Sequence, residues 1–191
     1  MKRLGVFAIL VIFSASQTLS PKTHSPTAAN PVASELQPSP EMKRLFDVFV
    51  GQWIVAESFE VSASRKGKSR TGTASFRAGP GFSLIEDYRS NGSAGELRFL
   101  ALVWWDPSAQ VYRLLTCANN DGCHLRGTLK WEGSALVNSW EEQVNGKPAT
   151  FKDSFVDISR STFRLVSEGS ADGKTIWHVT TKYVRRNRKG E

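Results

Sequence analysis

The hydrophobic period of this chain changes at Gly51 and never changes back. Before it, Met42, Leu45, Phe46 and Phe49 recur at helical spacing, which gives one apolar face. Ser39-Pro40-Glu41 supplies the start of that helix, with Ser as N-cap, Pro at the first position and an acid in the first turn. Gly51 ends it, where a residue able to adopt positive φ is wanted. From Gln52 onward the period is two, and the alternation predicts strands at about 52–62, 69–78, 82–90, 97–105, 109–117, 123–131, 135–144, 148–158, 161–168 and 174–185. Asn91-Gly92, Asp106-Pro107-Ser108, Asp121-Gly122, Glu132-Gly133, Asn145-Gly146 and Asp172-Gly173 separate them as short hairpin turns.

About ten antiparallel strands joined by hairpins leave two sheet edges, and closing into a barrel removes both. The expectation is therefore all-β: an antiparallel up-and-down barrel with the short N-terminal helix capping one mouth. A two-sheet sandwich is the alternative.

The 191 residues suit one domain with a surplus at the N-terminus. Met1-Lys2-Arg3, an apolar run from Leu4 to Phe13 and the small residues Ser14-Ala15-Ser16 form the pattern of an export signal over 1–16. An uncleaved anchor is the alternative, but the apolar run falls short of the roughly 20 residues a membrane span needs. No Cys follows it, so lipid anchoring through a cysteine is excluded. Residues 17–40 are rich in Ser, Thr, Pro, Ala and Asn and read as a disordered tether. The folded domain is then 41–186, followed by a basic tail at 187–191. The formal charge of +7 falls to about +5 without Lys2 and Arg3. Much of the excess sits in Lys182, Arg185, Arg186, Arg188 and Lys189, read as a solvated terminus. No basic helix with interleaved aromatics points to nucleic acid.

Alternation sorts the strand residues onto faces. Trp53, Val55, Glu57, Phe59 and Val61 share one side, as do Gly72, Ala74 and Phe76, and Phe82, Leu84, Glu86 and Tyr88. Val111, Arg113, Leu115 and Cys117 match Cys123, Leu125, Gly127, Leu129 and Trp131. Later sets are Phe151, Asp153 and Phe155; Phe163 and Leu165; and Trp177, Val179, Thr181 and Tyr183. A strictly apolar core would not intersperse Glu57, Glu86, Arg113 and Asp153 among these aromatics, because buried charge is costly unless paired. Either the barrel encloses a partly polar cavity with Arg113 facing carboxylates, or the phase shifts near the rims.

Cys117 and Cys123 flank Ala118-Asn119-Asn120-Asp121-Gly122, a hairpin tip by composition. Cysteines opposite one another across a hairpin lie close enough for a disulfide, and an oxidising compartment forms it. Free buried thiols or a reactive pair are the alternatives. Two cysteines at this spacing with one nearby His make a poor zinc site.

Gly51-Gln52-Trp53 after a short helix resembles the G-x-W signature of lipocalin-like (calycin) barrels. The stretch Leu102-Val103-Trp104-Trp105-Asp106-Pro107-Ser108-Ala109-Gln110-Val111-Tyr112 is similar to the aromatic-Asp turn, followed by Tyr, of an uncharacterised bacterial lipocalin-like family. The resemblance covers about 41–186, and the chain departs from it in carrying Trp104-Trp105 where that family favours Gly-Tyr. It implies that Trp53 plugs the closed end beneath a basic residue of the last strand, Lys182, Arg185 or Arg186, as a cation–π pair. A related group, the nitrobindin-type haem proteins, also begins with G-x-W and binds iron through one His. Here His124 and His178 alternate with inward neighbours and read as surface residues, and that group's glycine-rich continuation does not follow Trp53.

No G-x-S-x-G, H-E-x-x-H, P-loop or dinucleotide fingerprint occurs, and scattered carboxylates give no acid/base pair. No cofactor or metal is expected, and no catalytic residue is assigned. The expectation is an exported barrel, periplasmic or extracellular, that binds a small apolar or amphipathic molecule. Trp104, Trp140, Tyr88, Tyr112 and Phe155 are the candidates to line or rim its cavity, with Arg113, Glu57 and Glu86 as polar contacts. A filled-core interaction module is the second reading, and a hydrolase or isomerase using barrel carboxylates a third.

Overall fold

The computed structural model describes residues 37–186. The expected segments 1–16 and 187–191, and most of 17–40, lie outside the described residues. One helix, α1 (Pro40–Phe49), precedes ten strands: β1 (Gly51–Ser62), β2 (Ser69–Ala78), β3 (Leu84–Asn91), β4 (Leu97–Asp106), β5 (Val111–Ala118), β6 (Gly122–Glu132), β7 (Ala135–Val144), β8 (Lys147–Val156), β9 (Thr162–Ala171) and β10 (Lys174–Arg185). Each strand pairs antiparallel with the next, and β1 pairs with β10, so the sheet closes into an up-and-down barrel. The barrel, and not the sandwich, is the architecture.

Local chemistry explains the elements. Ser39 caps α1 by accepting from the Met42 N–H, and Pro40 occupies the first turn, where no backbone donor is needed. Met42, Leu45 and Phe49 turn their buried face onto one end of the barrel. Burying each such side chain contributes about 1.5–3 kcal/mol, more than a ten-residue helix gains from propensity alone. The helix is held from outside as well. The Tyr112 hydroxyl donates to the Glu41 carbonyl at 3.0 Å, and the Arg44 guanidinium lies 3.6 Å from the centre of the Trp131 ring.

At the closed end, Trp53 is 1% exposed and its indole N–H donates to the Phe49 carbonyl at 2.8 Å. Arg185, the last residue of β10, lies 4.2 Å over the Trp53 ring. Its guanidinium donates to the carbonyls of Val50 at 2.6 Å, Val48 at 2.9 Å and Arg160 at 2.6 Å. The carbonyls left unpaired at the end of a helix are thus satisfied by two side chains of the barrel. Of the three basic residues considered for this place, Arg185 takes it, so it does not belong to a solvated terminus.

The face assignments hold in β1 as far as Phe59, in β2, in β3 from Leu84, and in β8, β9 and β10; a bulge after Phe59 sets Val61 opposite His178, and the assignments fail in the middle of the chain. In β4, Leu97, Phe99, Ala101 and Val103 point inward, which turns Trp104 out. In β5, Leu114, Thr116 and Ala118 point inward, which turns Arg113 and Cys117 out. Both strands are apolar on both faces, so alternation alone does not reveal their phase. The face expected in β6 is broken by a bulge. Between the pairs Arg113–Thr128 and Leu115–Leu125, β6 uses one residue more than β5. Leu129 is therefore buried while Leu125 is 63% exposed. Gly127 sits in the bulge at φ +45°, and a Cβ there would stand 2.3 Å from the Ser139 carbonyl oxygen. Phe82, expected in β3, belongs instead to a short 3-10 turn, Pro80–Phe82.

Cys117 and Cys123 are register partners across the β5–β6 hairpin and form a disulfide. Gly51 stands at φ +146°, and a Cβ there would lie 2.3 Å from Arg185 Nη1. Gly51→Ala should therefore displace Arg185 from the helix end and cost about 1–3 kcal/mol, read as a lowered urea midpoint.

Candidate functional site

The barrel encloses a chamber of about 510 Å³. Leu45 and Phe49 of α1 reach into it from the closed end, where Phe49 packs against Phe76, Phe155 and Phe163 at ring separations of 5.7, 5.6 and 5.1 Å. The walls are mostly apolar: Leu84, Val103, Leu114, Leu129, Leu136 and Leu165 among others. Tyr88 and Phe99 stack on one wall at 4.5 Å, and Trp140 and Phe151 stack on another at 5.4 Å.

Three polar clusters interrupt this lining. The first is an ion pair between Glu57 and Arg70, 2.6 Å from Nη2 to Oε2, with both side chains buried. Glu57 also accepts from the Tyr88 hydroxyl and from Ser90 Oγ at 3.1 Å. Arg70 lies 5.0 Å over the Phe59 ring. So close a pair repays the cost of burial only because further donors saturate the carboxylate.

The second cluster is Glu86, which accepts from the Tyr183 hydroxyl at 3.3 Å and has no cation beside it. Burial pushes its carboxyl up from 4.5 to about 8, against the smaller opposing pull of the Tyr183 hydrogen bond. Glu86 is accordingly an uncharged acid at neutral pH. Burial, first of all, and then the neighbouring carboxyl of Glu86 raise the Tyr183 hydroxyl well above its ordinary range. The third cluster is Asp153, which accepts from Ser167 Oγ at 2.6 Å. Burial raises its carboxyl to about 6, while the Ser167 hydrogen bond and the Arg126 charge pull it down. Asn138 is its register partner on β7.

At the open rim, Arg126 projects inward from the β6 bulge. It pairs with Asp121 and with Glu142 at 3.1 Å, and lies 5.4 Å over the Trp140 ring.

Glu57, Glu86, Tyr88, Trp140 and Phe155 therefore come together around one chamber. Three expected contacts do not. Arg113 and Trp104 are register partners on the outer face, where Arg113 pairs with Asp106 at 3.0 Å. Tyr112 is buried beneath α1 against Trp105, and its hydroxyl anchors the helix. The cation that meets a barrel carboxylate is Arg70, two residues before Gly72 on the same alternating face. Extending that face by one step finds it. Arg126 and Asn138 carried no signal, because the bulge that turns Arg126 inward is invisible to a period of two. His124 stands exposed at the β5–β6 turn, and His178 lies 3.6 Å from both Glu60 and Glu168.

No protein-family model matches the chain, and no curated protein matches it. Solved structures similar to it include a redesigned β-barrel, mFAP0, bound to DFHBI, at 14% identity and TM-score 0.41, over 71% of this chain and 97% of that one. A fluorescence-activating β-barrel designed de novo is 15% identical at TM-score 0.40, over 73% of this chain and 94% of the other. Rv2717c from M. tuberculosis is 13% identical at TM-score 0.44, over 79% of this chain and 100% of that one. None of these likenesses carries a function onto this chain.

Two outcomes test the site's electrostatics. Arg70→Met strands the buried Glu57 carboxylate and should cost about 3–5 kcal/mol, measured by urea unfolding at pH 7. The folded state also holds a proton on Glu86 that the unfolded chain releases near its ordinary pKa of 4.5. That contribution is complete below 4.5, is lost as pH climbs to about 8, and is flat beyond. Urea midpoints of Glu86→Gln should accordingly fall less between pH 5 and 8 than those of the unaltered protein.

Proposed function

We propose that this protein binds a small, largely apolar molecule inside its barrel, as a lipocalin-like carrier exported from the cytoplasm. The observation that carries the reading is the chamber of about 510 Å³, closed at one end by α1 and lined by aromatic and aliphatic side chains with a few convergent polar groups. That is the constitution of a ligand pocket, in volume and in lining. Export is supported by the disulfide between Cys117 and Cys123, which persists in oxidising compartments, and by the signal-like pattern of residues 1–16. On this reading residues 17–40 tether the barrel domain, 41–186, and the Gly51-Gln52-Trp53 motif marks its lipocalin-like origin.

A non-enzymatic interaction module is the second reading. It draws on the outer face of β4–β6, where Leu100 and Leu125 are exposed beside the disulfide. The chamber weighs against it, since a module working through its outer face alone has no use for a hollow core.

The test uses an uncharged dye, N-phenyl-1-naphthylamine, whose emission rises in apolar surroundings. The protein should take up one dye per chain. Ala101→Phe, which projects a ring from β4 into the chamber, should weaken uptake at least about tenfold while leaving the unfolding midpoint in place. Absence of uptake by the unaltered protein would overturn the carrier reading and favour the interaction module.

A further inference from the structure

Six carboxyl residues border the chamber, Glu57, Glu86, Asp121, Glu142, Asp153 and Glu168, against two guanidiniums, Arg70 and Arg126. The whole chain carries a formal charge of +7, so the excess of acid belongs to the interior and not to the composition. Both guanidiniums already bind carboxylates, Arg70 that of Glu57 and Arg126 those of Asp121 and Glu142. An anionic head group would therefore meet no free guanidinium among the described residues.

Two of the six carboxyls, Glu86 and Asp153, have no ion-pair partner among the described residues. Each accepts one hydroxyl, from Tyr183 and from Ser167 respectively, through one oxygen only. They stand on β3 and β8, five strands apart either way round the barrel, and so on opposite walls. One step along the inward face from each lies a stacked aromatic pair, Tyr88 with Phe99 and Trp140 with Phe151. Carboxyls without a cation beside aromatic faces favour positive charge on both counts.

Glu86 is the better placed of the two. The Arg126 charge reaches Asp153 and partly offsets it, whereas no cation acts on Glu86. Glu86 is 8% exposed, and its Oε2 is unpartnered among the described residues yet keeps accessible surface. In this it differs from Asn138 Nδ2 and Oδ1 and from Arg70 Nε, which are unpartnered but sealed off. Its register partner on β4 is Ala101, a small side chain that leaves the space beside the carboxyl open. The titratable groups around it are the hydroxyls of Tyr88 on β3 and Tyr183 on β10, with the Glu57–Arg70 pair of β1 and β2 behind them. That pair is neutral as a unit, so the wall itself does not supply the charge that Glu86 lacks.

We propose that the chamber takes an amphipathic cation, a primary ammonium on an apolar, planar body, with Glu86 as its counter-ion. The inference rests on the carrier reading and names its ligand class. One proton moves on binding. Glu86 is protonated while no cation faces it; as the ammonium arrives, the carboxyl passes its proton to the buffer and accepts a charged N–H···O hydrogen bond instead.

Four probes share one naphthalene body: 2-naphthylmethylammonium, 2-naphthylmethanol, 2-naphthoate and 2-ethylnaphthalene. Each is titrated calorimetrically at pH 7 into the full chain and into Glu86→Gln. The ammonium should bind at least about tenfold tighter than the other three. Titrations in phosphate and in Tris, whose ionisation heats differ, should show about one proton released with the ammonium and none with the others. In Glu86→Gln both the advantage of the ammonium over 2-ethylnaphthalene and the proton release should vanish. Glu86→Leu gives the same comparison if the glutamine variant does not fold. The naphthoate or the alcohol binding best, equal binding of all four, or an ammonium preference that survives the substitution would overturn the role of Glu86 and leave the carrier standing. Failure of every probe, 2-ethylnaphthalene included, to bind the unaltered protein would overturn both.

Discussion

Arg185 is the point at which the two ends of the fold are joined. It is the last residue of the last strand, yet its guanidinium accounts for the carbonyls of Val48 and Val50 at the end of the only α-helix among the described residues. It does so from above Trp53, the third residue of the first strand. Hydrogen bonds from a charged donor are about twice as strong as neutral ones, and a planar fork reaches several acceptors at once. A lysine in its place would supply charge without the fork. The demand is reciprocal: only a residue without a side chain leaves room for the guanidinium beside the helix end, and Gly51 stands there. Helix, first strand and last strand therefore fix one another, and the floor of the chamber, formed by Leu45 and Phe49, is positioned as a result.

Above that floor the interior is polar in a disciplined way. Among the described residues the one buried ion pair is neutral as a unit, the lone carboxyl of Glu86 is kept protonated by its surroundings, and Arg126 is compensated by Asp121 and Glu142. Such an interior costs little to keep away from bulk water.

Much of this was legible in the sequence, and the reasons are local. Turn dipeptides such as Asn91-Gly92, Asn145-Gly146 and Asp172-Gly173 announce hairpins, because few residues tolerate the backbone they require, so strand number and boundaries followed closely. Trp53 and its basic partner were legible through a motif. Phase was legible only where one face is polar. The run Leu-Ala-Leu-Val-Trp-Trp in β4 and the run Tyr112 to Leu115 in β5 present apolar side chains to both sides, and nothing in them says that Trp104 and Arg113 face out. Arg126 was hidden by the bulge at Gly127, since one extra residue exchanges the two faces of everything beyond it. Asn138 was hidden differently: a lone asparagine within a strand reads as a solvent-facing residue until the barrel closes around it.

Closure also sets the order of events during folding. Trp53 faces Arg185 across the β1–β10 seam, a contact made by residues at opposite ends of the domain. The hairpins from β2 to β9 are local and form in sequence, but the seam brings no reward until the final strand has arrived, and so large a loop closes slowly. Until then two open strand edges flank an apolar interior, and the chain is most exposed to misassociation at that stage. A barrel of this topology gains the stability of closure only when residue 185 meets the carbonyls of Val48 and Val50.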